Sequence, residues 1–143
     1  VAMLKDKSGS PLKRQKIGER YYYIGGSGSV YSLEELDSGT DYNLFEAGNY
    51  CTNKELMHQR AMHETLDRLL WRFSMENGEM DNPWDNLHNH YIILMEKRVG
   101  IFSTTGTVAG KANGIYFPSR ELAERAIDEI IKPFMGKHPD FVW

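Results

Sequence analysis

Cys51 is the one cysteine in 143 residues. A lone thiol excludes an intramolecular disulfide and any zinc cluster built on cysteine, and such sparing use fits a reducing cytoplasm. No apolar run approaches the roughly 20 residues of a membrane helix, so no membrane partner is expected. Signatures of catalysis are also missing. There is no G-x-x-x-x-G-K-[ST] phosphate loop, no G-x-S-x-G, no H-E-x-x-H and none of the kinase set. The reading is of a chain that is not an enzyme, with no cofactor, no metal and no catalytic residues.

Two features test that reading. Gly26-Ser27-Gly28-Ser29-Val30-Tyr31 carries two glycines of a G-x-G-x-x-G pattern, with Tyr31 in the third place. A dinucleotide loop needs a helix after it to meet the phosphate, whereas Val30 and its successors look like a strand. The loop is therefore expected to turn the chain. Among the histidines, His58 and His63 are five apart, about 140° around a helix and a poor angle for one ion. His88 and His90 share a side of an extended segment but have no third ligand at a telling spacing. Cys51 sits before a helix cap, where a dipole lowers thiol pKa. The alternative is a small inward-facing hydrophobe.

Charge is uneven. Residues 1–20 hold Lys5, Lys7, Lys13, Arg14, Lys16 and Arg20 against Asp6 and Glu19, a net +4, so the remaining residues carry −7 of the total −3. A basic arm on an acidic body is one footprint of nucleic-acid contact. A flexible, solvated tail over residues 1–20 is the other reading, since Gly-Ser-Pro at 9–11 favours disorder.

The body contains a self-similar stretch. Residues 48–56 (GNYCTNKEL) align with residues 114–122 (GIYFPSREL), sharing Gly, Tyr, Glu and Leu. An aromatic strand precedes each copy, YYYI at 21–24 and YIIL at 91–94, and a helical pattern follows. The expected fold is α+β: a mostly antiparallel sheet from a tandem βββα repeat, with two helices on one face. The first half runs over 21–76, with strands at 21–24, 30–33 and 44–51, followed by a helix capped by Asn53 or Thr52. Met62, Leu66, Leu69, Leu70 and Phe73 form its apolar stripe. A linker spans 77–87. The second half covers 88–143, with strands near 90–96, 99–105 and 114–117. Ser119 caps a helix striped by Ala123, Ala126, Ile127, Ile130, Ile131 and Phe134, and the halves form one compact domain.

If two helices cover one sheet face, the other displays Tyr21, Tyr23, Tyr91 and Ile93, the candidate partner-binding residues. The alternative is that these side chains pack against Trp71, Trp84 or Trp143. For a nucleic-acid partner the candidates are Lys13, Arg14, Lys16 and Arg20, aided by stacking tyrosines.

Residues 21–24, 48–56 and 114–123 together resemble a group of small, poorly characterised proteins of phages and prophages of Gram-positive bacteria, over about residues 20–132. The resemblance implies a phage accessory protein acting in the bacterial host cytoplasm. Proteins of that kind bind and block host proteins, including CRISPR nucleases and other defence systems, or act on nucleic acid. Three roles are therefore expected: a binding module that blocks a host or phage protein, a nucleic-acid-binding accessory protein using the basic arm, or a virion or self-assembling homo-oligomer.

Overall fold

Strand β1 (Arg20–Ile24) turns back into β2 (Val30–Glu34) in a computed structural model that describes residues 9–98 and 100–143. The glycine-serine loop between them closes through Gly28 N–H to Gly25 O at 3.0 Å and Gly25 N–H to Ser29 O at 2.8 Å, with Gly28 at φ +88°. That conformation is open to glycine and strained for other residues. The loop is a hairpin turn.

The chain is α+β with antiparallel sheets and divides into two compact units, residues up to Met62 and residues from His63. In the first unit β1 and β2 pair over five residues, and Cys51 adds one antiparallel bridge to Tyr22. Helix α1 (Gly39–Glu46) stands where a third strand over 44–51 was expected. Its cause is local. Ser38 caps the first turn, and Asp41 returns a bond to the Ser38 N–H, a complete capping box. Gly48 at φ +70° ends the helix, with Gly48 N–H bonded to Phe45 O and Asn49 N–H to Leu44 O. Only then does the chain extend, and the Asn49 side chain completes the pairing by bonding both the N–H and the C=O of Ile24.

Helix α2 (Lys54–Glu76) is capped by Asn53, whose side chain accepts from Leu56 N–H. Met57, Ala61 and Met62 are its buried residues in the first unit, and Leu66, Leu70 and Ser74 in the second. The division thus falls inside α2, not at the expected linker over 77–87. That segment belongs to the second unit, because Glu79 in a short 3-10 turn and Trp84 both pack on His90.

The second unit holds β3 (His90–Glu96), β4 (Ile101–Thr107) and β5 (Tyr116–Phe117) in the order β4-β3-β5. Ser119 caps α3 (Arg120–Ala126), which passes through a π-helical stretch, Ile127–Ile131, into α4 (Lys132–Lys137). Pro133 has no N–H to give, and its ring would press on the carbonyl four residues back. A widened turn ahead of it relieves that crowding. Ala123, Ala126, Ile127, Ile131 and Phe134 are buried along this helix, and Phe117 of the same unit is 1% exposed.

Candidate interaction surface

Of the four candidate partner-binding residues, two lie in the interior. Tyr21 is fully buried, its ring stacked on Tyr50 at 3.9 Å, and its hydroxyl donates to Asp41 Oδ1 at 2.5 Å. Ile93 is also buried. The expected open tyrosine face is therefore corrected in both units. In the second unit the face bearing Tyr91 and Ile93 is the one that meets α3. Arg120, at the start of that helix, lies over the Tyr91 ring at 5.2 Å and bonds the Thr104 hydroxyl at 2.9 Å. The opposite face is covered by Trp84 at His90 and open at its other end, where Leu94 and Ile101 are exposed.

Tyr23 keeps an outward role. It is half-buried and meets its cross-strand partner Tyr31 with ring centres 5.7 Å apart. Tyr31 is 48% exposed, yet its ring lies against the backbone of Gly25, where an added Cβ would fall 2.4 Å from Cε2. An exposed aromatic is thus held between a second ring and a glycine. Leu36 and Tyr42 are also exposed in this unit.

The basic candidates do not form a free arm. Arg14 Nε donates to Glu35 Oε1 and Arg14 Nη2 to Asp37 Oδ1, both at 3.1 Å. Pro11 O accepts from Thr52 N–H at 2.8 Å, and Gln15 N–H donates to the Tyr50 hydroxyl at 2.9 Å. Residues 9–19 are thereby fastened to the first unit, contrary to a flexible arm over 1–20. Residues 1–8 of that arm lie outside the described residues. Arg20 belongs to β1 and stands opposite Glu34. Lys13 and Lys16 are exposed. Of the four candidate cations Arg14 is therefore paired with acids, while the Arg20 guanidinium donates to the Ser32 hydroxyl at 3.4 Å.

Two buried acid clusters escaped the pattern reading. In the first unit, Glu35 accepts from Arg14, from the Tyr50 hydroxyl at 2.8 Å and from Asp37 N–H at 2.9 Å, while Asp41 takes bonds from Tyr21, Ser38 and Leu36. The Tyr21 hydroxyl holds the Asp41 carboxyl far below the usual range, with the backbone donors adding to that against the cost of burial. Burial, then the carboxylate, raises Tyr21 well above an ordinary phenol. Burial likewise pushes Tyr50 up to about 12, with Glu35 adding to it. In the second unit, His90 is fully buried and its Nδ1 meets Glu79 Oε1, while Nε2 lies 3.0 Å from Pro83 O. Trp84 stacks on the imidazole at 3.6 Å. The Ser38-Gly-Thr-Asp41 capping box was a readable signal for Asp41. His90 and Glu79 carried none.

Among the described residues no group of three or more His, Cys, Asp or Glu is placed to hold a metal ion, and no helix is long and apolar enough to cross a membrane. Cys51 is buried, with its sulfur 3.4 Å from Asn53 N. A shallow cavity of about 280 Å³ opens where the apolar Leu69, Ile130, Pro133 and Phe134 meet Thr65, Glu129, Lys137 and His138. Comparison of the chain with protein-family models, curated proteins and solved structures finds no match.

Proposed function

We propose that this chain is a non-enzymatic binding module that covers and blocks another protein, with the Tyr23–Tyr31 pair of the first unit at the centre of the contact. The carrying observation is the exposed Tyr31 ring, held in place by Tyr23 and Gly25. A large aromatic already fixed in position loses little freedom on binding, and tyrosine is among the residues that dominate interface energies. The net −7 beyond residue 20 suits a basic target, such as a nucleic-acid-handling protein, because opposite charge speeds and directs encounter. The resemblance in residues 21–24, 48–56 and 114–123 supports a phage or mobile-element origin and a host or phage target in the bacterial cytoplasm, a defence nuclease among them.

The same reading includes a duplicated βββα module. Supporting it, Cys51 pairs antiparallel with Tyr22 and Phe117 with Tyr91, each just after a Gly-x-Tyr. The matching residues in that case are Tyr22 and Tyr91, one position away from an alignment of YYYI on YIIL. Tyr21 then corresponds to His90, and both are fully buried.

A pull-down from bacterial lysate at physiological salt tests the binding role, run with the full chain and with Tyr31→Ser. Recovery of a protein by the full chain and its loss with Tyr31→Ser is expected. Equal recovery by both, or none by either, removes the reading.

A further inference from the structure

Strand β4 is the outer strand of its sheet and pairs with β3 in an unbroken register over all seven residues, from Ile101 opposite Glu96 to Thr107 opposite His90. Among the described residues its other edge has no strand neighbour. Natural edges are protected by lysine, proline, bulges or a covering segment. The sequence IFSTTGT has no charge and no proline, and the register leaves no bulge. Among the described residues, the backbone of β4 has one partner besides β3, the Arg120 Nη1 that reaches Thr104 O at 3.3 Å. Arg120 itself has no carboxylate within ion-pair distance among the described residues.

We propose that the free edge of β4 takes an extended segment of another protein as a fourth strand, and that an Asp or Glu of that segment pairs with Arg120. Strand addition supplies affinity through main-chain hydrogen bonds, and alternate side chains supply the selectivity. On the face shared by Thr104 and Arg120 the guanidinium favours a carboxylate, since a charged donor facing a charged acceptor forms the stronger bond. On the other face, exposed Leu94 and Ile101 favour apolar, β-branched side chains. A second copy of β4 is a poorer occupant. Antiparallel self-pairing about Thr104 sets Arg120 near its own twin, two like charges with no acid between them. The proposal concerns the second unit and is independent of the tyrosine pair in the first.

The probe is the synthetic peptide acetyl-VTVEVTV-amide, which places valine on one face and glutamate at the centre of the other. Its control replaces the glutamate with lysine. Each is titrated into the full chain while backbone amide shifts are followed by NMR. The expected result is shifts centred on Ile101–Thr107, with the glutamate peptide binding about tenfold tighter than the lysine peptide, a difference of about 1.4 kcal/mol. In Arg120→Gln, which keeps a donor for Thr104, the two peptides bind equally while the rest of the spectrum stays folded. Shifts elsewhere, equal binding of both peptides to the unaltered chain, no shifts at all, or a concentration-dependent dimer of the free chain each overturn the proposal.

Discussion

The two units solve one packing problem with different chemistry. In each, a ring at or beside the start of the first hairpin strand is fully buried, lies flat on a second aromatic ring and bonds a buried acid. In the first unit these are Tyr21, Tyr50 and Asp41; in the second they are His90, Trp84 and Glu79. The two Gly-x-Tyr stretches also place their tyrosine hydroxyls alike, Tyr50 accepting from Gln15 N–H and Tyr116 from Ala112 N–H. Yet the glycines differ. Gly48 takes a left-handed conformation to end a helix, whereas at Gly114 an added Cβ would fall 2.7 Å from Ile92 Cδ1. Identical letters can thus answer to unlike constraints, and unlike letters to the same one.

The comparison breaks first at Phe117, which is 1% exposed. Phe117→Ala is expected to cost about 3–5 kcal/mol, read as a large fall in melting temperature. Cys51→Ala, at the matching place in the first unit, removes one sulfur and should cost only about 1 kcal/mol. Similar losses at both sites would contradict the view that only the second unit fills this place with a large ring.

Glu79→Ala comes next. It removes the buried carboxylate that meets His90 Nδ1 in the core, at a cost of about 2–3 kcal/mol in urea unfolding. A loss under 0.5 kcal/mol would show that the Pro83 carbonyl and the Trp84 ring suffice to hold the imidazole.

Alkaline pH probes the phenols of the first unit. Tyr21 and Tyr50 have folded pKa values raised above the unfolded value of about 10. Their contribution is therefore complete below pH about 10 and falls as pH rises past it, because the unfolded chain ionises first. Tyrosinate absorbance should show both phenols titrating together with unfolding, and Tyr21→Phe should weaken that dependence. Free titration of all tyrosines in the folded chain near pH 10 would contradict the buried bonds.

His88→Ala should do least. The side chain is exposed, and stability should stay within about 0.5 kcal/mol. Its local signature is at Asp85, whose carboxyl the His88 side chain, then the Leu87 N–H, holds down at about 2. In the variant that pKa should rise toward the usual value near 4, by carboxyl-carbon NMR.

Much of this architecture was legible in sequence. The hairpin at 25–29, the strand over 90–96, the caps at Asn53 and Ser119 and the apolar stripe of the last helix follow from turn chemistry and periodicity. Missed were α1, whose capping box competed with an apparent strand, and the fastening of residues 9–19 by Arg14 and Pro11. The candidate surface was only half visible. Alternation assigned Tyr21 with Tyr23 and Tyr91 with Ile93 to shared faces, but it could not say which face a helix would cover.

By itself, then, the sequence determined the local events: where the chain turns, where helices begin, and which side chains alternate together. Those depend on neighbours within a few positions. Tertiary structure alone decided that Tyr21 and Ile93 go inside and that Leu94 and Tyr31 stay out. It also decided that Glu35, Asp41 and Glu79 are buried, because a carboxylate can leave water only where donors meet it. For Glu35 those donors include Arg14 and Tyr50, 21 and 15 residues away along the chain, and only the folded backbone brings them together.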